Sequence, residues 1–408
     1  MDVSGIGQVP GLVEVDMKSW GITLRFSVAV VLCVLPNAVT WSQPGPNGRP
    51  AQVRTVQGNW VPVASIAGFV GPLMETCGVT TLSLAVINDD RVIYKGTFGP
   101  RASSSGAAVE PLTVFRAASL SKPVFAYLVM KLVDRNLLDL DTPLFRYLPK
   151  PVFTYPGYED LRYDRRYELI TARRVLSHQT GFPNWRWQNP TQRLDIQFFP
   201  GKKFGYSGEG YQYLQFVVEQ KLGKGLAQIA REEVFLPLGM TQTSFHLEGR
   251  FEGHIAADLS RAPEFLKRKM RTEASAAGSL LTTAADYGRF VTAVLNGEGL
   301  SPKSAKEMLR PQVRITSRRL LGPQAAETSE NTIGLSWCLG WGRFETGLGD
   351  AIFHVGQESG CENYVVVFLR EKVGMVILSA GEGREAILPK LVARVIGDGY
   401  SPFHWIGE

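Results

Sequence analysis

The chain is poor in the residues from which metal centres and disulfide scaffolds are built: 408 residues hold four cysteines and five histidines. Cys33, Cys77, Cys338 and Cys361 form no C-x-x-C pair, and the histidines show no H-E-x-x-H or comparable ligand spacing. A zinc mechanism therefore has little to stand on, and no cofactor is implied. Charge of one sign is scarce as well. The 44 Lys and Arg against 38 Asp and Glu leave +6, small beside the total and scattered along the chain. Clusters such as Arg165-Arg166, Arg173-Arg174, Lys202-Lys203 and Lys267-Arg268-Lys269 are short and lack the interleaved aromatics of a single-strand binding platform. They read as solvated surface, and no nucleic-acid partner is expected. What is present, 44% hydrophobic and 20% charged residues, is the composition of a globular protein with a deep core in one large or two cooperating domains.

The amino end reads as a targeting segment. Met17-Lys18 and Arg25 precede the apolar run Phe26–Leu35, which is short for a bilayer span but suits the apolar region of a secretory signal. Ala38 and Thr40 supply small residues for cleavage, and acidic Glu14 and Asp16 upstream suggest a true start at Met17. Residues 1–42 are assigned to targeting, and the mature protein is expected to be exported without an integral span. Val30-Val31-Leu32-Cys33 approaches a lipoprotein box, but Leu32 stands where a small residue is needed. Residues 43–58, with Pro44-Gly45, Pro46, Gly48 and Pro50, read as a linker.

Beyond the linker, apolar positions from Trp60 to Thr76 recur at helical spacing. Thr81–Ile87 and Arg91–Gly96 around Asn88-Asp89-Asp90 predict a β-hairpin. From Ser119 to Gly278 the periods are helical, at Val124–Val133, Tyr211–Gln220 and Leu226–Val234. After the helical Ala284–Leu295 and Ser301–Leu309, strand character returns at Leu335–Phe344, Ala351–Val355, Tyr364–Leu369 and Val373–Leu378, before a helix at Ala386–Ile396. This order predicts an α/β (α+β) fold: a mainly antiparallel sheet flanked by helices and formed from both chain ends, with an inserted all-helical domain. Residues 59–118 and 279–408 build the α/β domain and 119–278 the helical one, with a site at their junction.

Three clusters carry chemistry. In Phe115–Pro123 a helix begins near Ser119, and Lys122, three residues on, shares its face. The lysine lowers the cost of deprotonating the serine, and the helix start favours the developing anion. S-x-x-K occurs once in the chain, about the number chance provides, and the ordinary alternative is a helix-capping serine before a surface lysine. The second cluster is the glycine-rich loop Gly205–Tyr211. There Tyr206 can relay a proton if a nearby cation lowers its pKa from about 10; the alternative is packing. Ser207 stands one residue short of a G-x-S-x-G elbow and lacks its strand-turn-helix context. The third is His354-Val355-Gly356 with Gln357, where a hydrogen-bonding or cationic side chain meets a glycine against which substrate can lie, and a peptide N–H can help hold an oxyanion.

Taken in order, Ser119-x-x-Lys122, Tyr206-Ser207-Gly208 and His354-Val355-Gly356 resemble the three motifs of the class C-like β-lactamase family, which also contains serine esterases and D-amino-acid-specific peptidases. Framework phrases add to the likeness from about residue 60 to 400: Leu138–Pro143, Leu176–Pro183, Phe235–Met240 and Ala276–Thr283. The resemblance implies acyl transfer from a small ester or amide through a Ser119 acyl-enzyme, with Lys122 and Tyr206 sharing the proton work. It also implies an oxyanion hole from the Ser119 and Gln357 N–H groups, and His354 in place of the family's lysine or histidine. Two departures matter. Gly208 stands where many members carry an asparagine that both donates to and accepts from a substrate amide. Val355 stands where threonine is usual. Both losses lean toward a less polar acyl substrate and hence a carboxylesterase; a β-lactamase or D-specific peptidase, and a non-catalytic binding protein on the same scaffold, are the alternatives.

Overall fold

The later strands are apolar on both faces, and such strands need a sheet covered twice. In the computed structural model, which describes residues 34–35, 38–42, 51–99, 109–251, 253–256, 263–329, 333–381, 383 and 386–407, this sheet has ten strands. The chain-ordered strands are β1 (Val34–Leu35), β2 (Ala38–Ser42), β3 (Gln52–Arg54), β4 (Trp60–Pro62), β5 (Thr81–Asn88), β6 (Arg91–Phe98) and β7 (Phe115–Ala118). They continue with β8 (Leu280–Thr282), β9 (Val313–Arg314), β10 (Ser336–Trp337), β11 (Gly342–Thr346), β12 (Gly349–Glu358), β13 (Cys361–Phe368) and β14 (Val373–Ala380). The sheet order is β1-β2-β6-β5-β14-β13-β12-β11-β10-β9, antiparallel throughout. Its centre joins β5 to β14, so both parts of the chain are needed to make it.

Side chains alternate between two cores, as the pleat dictates. On β5, Leu82, Leu84 and Val86 enter one core, Ala85 and Ile87 the other; on β13, Tyr364, Val366 and Phe368 divide likewise from Val365 and Val367. The long helices are α1 (Val63–Cys77), α2 (Ser121–Asp134), α3 (Gly208–Leu222), α4 (Ala284–Asn296) and α5 (Leu388–Ile396). Helices α1 and α5 contribute to the first core, and α2, α3 and α4 to the second. Between Ala118 and Leu280 no strand forms among the described residues; α2, α3, shorter helices and a series of 3₁₀ turns from Leu144 to Leu169 fill the interval.

The hairpin turns through Asp89 and Asp90, both at positive φ, the backbone that a two-residue type I′ connection requires. Elsewhere the structure departs from expectation. The first helix starts at Val63 rather than Trp60, because Trp60–Pro62 pairs with Gln52–Arg54. Residues 51–58 are thus not linker: Val53 and Val56 are buried in the core. Most of the expected targeting segment lies outside the described residues, but its end does not. Ala38–Ser42 pairs with β6, so a cut at Thr40 would remove part of a sheet strand. The run Leu335–Phe344 splits into β10 and β11 around Gly340 at φ +85°. Helical Leu226–Ala230 continues as a π-helical turn at Arg231–Phe235. Cys77, Cys338 and Cys361 are buried and form no disulfide among the described residues; Cys33 lies outside the described residues.

One buried side chain ties the site-bearing strands together. Asn363 of β13 donates through Nδ2 to the carbonyls of Arg116 in β7 (3.0 Å) and Gly356 in β12 (3.1 Å), and its Oδ1 accepts from the Ser379 N–H of β14 (3.1 Å). Asn363→Leu keeps the branched shape but strands these groups. It should cost on the order of 3 kcal/mol, read as a lower urea midpoint at unchanged slope; an unmoved midpoint would contradict this role.

Candidate active site

The site is built where β7 turns into α2. Strand β7 pairs with β8, so the entry and exit of the helical block meet there. Ala118 holds φ +47°, uncommon for a residue with a Cβ, and this bend carries the chain from strand to helix. Ser121 fixes the bend: its hydroxyl donates to the Ala118 carbonyl (2.6 Å) and accepts from the Leu280 N–H (2.9 Å). Ser119 is left facing a cleft of about 610 Å³, which it shares with Tyr206 and Gln357.

Lys122, the second residue of α2, is wholly buried. Its Nζ donates to Ser119 Oγ (3.0 Å) and to the Ala277 carbonyl (2.7 Å). The rings of Tyr206 and Tyr211 stand 4.8 and 5.6 Å from it, offering an ammonium partial compensation. Burial prevails and lowers the Lys122 pKa to about 7. A lysine at that value is a base near neutral pH, already in contact with the hydroxyl it would deprotonate.

Tyr206 is hydrogen-bonded to Ser119, but its pKa moves opposite to the sequence expectation. Burial raises it well above the usual phenol range, and the Ser119 hydrogen bond offsets only part of this. The cation that was to lower it is Lys122, which gives up its charge too readily to do so. Tyr206 is thus a resting proton donor. Ser207 caps α3, accepting from the Gly210 N–H (2.9 Å) and donating to the Pro183 carbonyl (2.8 Å). It is not placed as a nucleophile.

The third motif divides. Gln357 and Val355 line the cleft; His354 and Gly356 do not. His354 is wholly buried, its ring 6.3 Å from that of Tyr206 and 5.4 Å from Trp337, with Nδ1 at 2.8 Å from the Val355 carbonyl. Burial, then Lys122, push its pKa down to about 3, so it cannot be the cation of the site. Gly356 permits a close approach, but to the protein itself: a Cβ there would stand 2.3 Å from the Ala117 carbonyl oxygen. Its absence lets β12 press against the turn that carries Ser119. Gly208 begins α3 beside Trp185, off the cleft lining.

Sequence reasoning missed several lining residues: Asn184, Trp185, Ala277, Leu320 and Leu321. It also gave no role to His178, which accepts the Ser207 N–H at Nδ1 (3.0 Å) and lies against Tyr206 with ring centres 4.2 Å apart. Burial, then Lys122 and His354, hold His178 well below its usual pKa, which keeps that acceptor available. Both it and Asn184 fall inside the framework phrase around Leu176–Pro183 or directly after it, the one available signal.

Among known proteins, a human beta-lactamase-like protein is 28% identical over 79% of this chain and 65% of its own length. Penicillin-binding protein 4 of Amycolatopsis lactamdurans is 25% identical over 83% of this chain and 86% of its own. The solved D-alanine carboxypeptidase AmpC of Burkholderia cenocepacia shares the fold, at TM-score 0.62 and 18% identity, over 82% of this chain and 98% of that one. The beta-lactamase family profile matches residues 66–395, some four-fifths of the sequence, and the chain belongs to that family.

Proposed function

We propose that the protein is an exported serine hydrolase that takes the acyl group of a small uncharged ester onto Ser119 and passes it to water. The observation that carries the reading is the contact at 3.0 Å between the Ser119 hydroxyl and a lysine whose pKa burial has brought to about 7. Neutral Lys122 accepts the hydroxyl proton as Oγ attacks the carbonyl. The N–H groups of Ser119 and Gln357 receive the oxyanion. Tyr206, held as a neutral phenol, donates to the departing alkoxide and is reprotonated from Lys122. Water then attacks the acyl-enzyme, with the same pair moving its proton.

The cleft favours an ester over a β-lactam or a D-alanyl peptide, although the relatives' names point to penicillins and peptides. Those substrates bring a carboxylate. Among the described residues lining the cleft there is no lysine or arginine, and the one charged side chain is Glu358, paired with Arg116 at 3.1 Å. An anionic substrate would find no lysine or arginine among the described lining residues to receive its charge. A panel of short-chain nitrophenyl esters, a chromogenic cephalosporin and D-alanyl amides tests this. Ester turnover with an acyl adduct on the Ser119 peptide is expected; turnover of the cephalosporin or the amide alone would overturn it. Export rests on the apolar run behind Arg25. Recovery of the protein only inside the cell, with residues 1–37 retained, would sink that part.

Proton transfer predicts two kinetic results. Lys122→Ala and Tyr206→Phe should each slow acylation by about 10²–10⁴-fold. In the wild type, kcat/KM should rise with pH to a plateau with a midpoint near 7, because only the neutral amine can accept the proton. A rate independent of pH from 5 to 9 would remove Lys122 as the base.

The same burial makes Lys122 a cost to folding. The unfolded chain keeps the Lys122 proton up to about pH 10.4, the folded chain only to about 7. Between those values unfolding takes up a proton, so stability rises with pH. Lys122→Met should therefore be inactive yet melt above the wild type, most clearly at pH 6, with the difference fading towards pH 10. A variant that melts lower at every pH would show that the lysine holds the core together.

A further inference from the structure

Trp185, in the lining of the cleft, carries a feature that neither the motifs nor the chemistry of Ser119 explains. Gly208, the first residue of α3, has no room for a side chain: a Cβ built there would stand 2.6 Å from Cη2 and 2.8 Å from Cζ2 and Cζ3 of Trp185. The indole occupies the volume that any side chain at 208 would need. It is also braced on both sides. The preceding Asn184 accepts the Gly208 and Glu209 N–H groups at its carbonyl (3.0 Å each) and the Gly208 N–H again at Oδ1 (3.1 Å). The following Arg186 donates its backbone N–H (2.9 Å), Nε (3.0 Å) and Nη2 (2.7 Å) to the buried Glu209 carboxylate. Trp187 stacks on the indole at 4.7 Å and 11°. The backbone on both sides of Trp185 is thus anchored, and swinging the ring away would break its stack on Trp187.

We propose that Trp185 is the specificity-determining wall of the cleft and that it selects substrates presenting a hydrocarbon group, aromatic above all, while rejecting an acylamino group at that place. The proposal rests on the acyl-transfer reading of Ser119 and names the substrate class that reading leaves open. An acylamino group needs an acceptor for its N–H and a donor for its carbonyl. The indole face offers neither, so an acylamino group laid against it gives up hydration without return, and the neighbouring Asn184 Oδ1 already accepts one hydrogen bond from Gly208. A flat hydrocarbon instead finds the indole and, across the cleft, Leu320, Leu321 and Val355.

The test uses two fluorophosphonates that differ in one substituent, benzyl against acylaminomethyl. Each phosphonylates Ser119: the Oγ–P bond forms, the P–F bond breaks, fluoride leaves and the hydroxyl proton passes to Lys122. The readout is the labelling rate of the Ser119 peptide by mass spectrometry, which does not depend on turnover. The wild type should label with the benzyl compound about tenfold faster or more, and Trp185→Ala should bring the ratio close to one. Trp185→Leu, which keeps an apolar wall, should retain part of the preference. A second measurement needs no ligand. Gly208→Ala should lower the melting temperature in the wild type, but in Trp185→Ala it should leave it unchanged or raise it, since alanine favours a helix over glycine. Equal labelling rates in the wild type, a ratio untouched in both Trp185 variants, or a Gly208→Ala effect indifferent to Trp185 would each overturn the wall. Failure of both compounds to label Ser119 would overturn the nucleophile and the wall with it.

Discussion

A wholly buried lysine next to a serine hydroxyl is the constraint around which the rest of this site is arranged. Burying an ammonium without a counter-ion is so costly that the group sheds its proton instead. Around Lys122 nothing opposes that outcome with a full negative charge. Its partners are the Ser119 hydroxyl, the Ala277 carbonyl and two tyrosine faces. A carboxylate at hydrogen-bonding distance would have restored the charge and ended its use as a base. The neighbours follow the same rule. His178 and His354 are held neutral, and Tyr206 keeps its proton. Above about pH 7 the resting centre is therefore uncharged, and charge appears there only when a substrate carbonyl is attacked. Donors that are already aimed then gain their full value, because little water is present to share the work.

This arrangement explains which inferences the sequence supported. The three-residue spacing that sets Lys122, in the first turn of α2, beside Ser119, in the turn just before it, is a local property, so the pair could be read directly. So could the β5–β6 hairpin, with its short polar turn between β-branched runs, and the long strands at the carboxyl end. Burial depth is not local. His354 looked like a group that could touch substrate because a strand end beside a glycine reads as an edge; only the packing of Trp337 and Tyr206 around it reveals a sealed interior. The direction of the Tyr206 shift was misjudged for the same reason. A cation was expected to act on the phenol, whereas the sealed environment that holds the phenol also discharges the cation.

The elements that escaped notice are short. Strands β3, β4, β7 and β8 have three or four residues each, too few for alternation to stand above chance. Yet β7 and β8 position the nucleophile, and β3 brings Val53 into the core within a stretch whose prolines and glycines suggested a linker. Their stability comes from partners distant in the chain, such as Asn363 reaching back to Arg116. Trp185 was invisible for a related reason: nothing near Gly208 in the sequence says which ring fills the space that the glycine leaves.

The division of the chain then acquires a physical reason. A catalytic serine must be rigid, exposed to substrate and adjacent to a dry base, and one element cannot easily meet all three demands. Here β7 delivers Ser119 to the sheet's edge of the cleft, α2 carries Lys122 into the helical core, and β12 presses against the turn between them through Gly356. The helical insertion supplies the dryness, since Ala277, Tyr206 and Tyr211 all belong to it and all pack on the lysine. Loosening the insertion would admit water to Lys122, raise its pKa and protonate the base before the cleft itself changed shape. The coupling between fold and chemistry is thus electrostatic: the packing that surrounds Lys122 also sets the proton affinity on which the proposed acyl transfer depends.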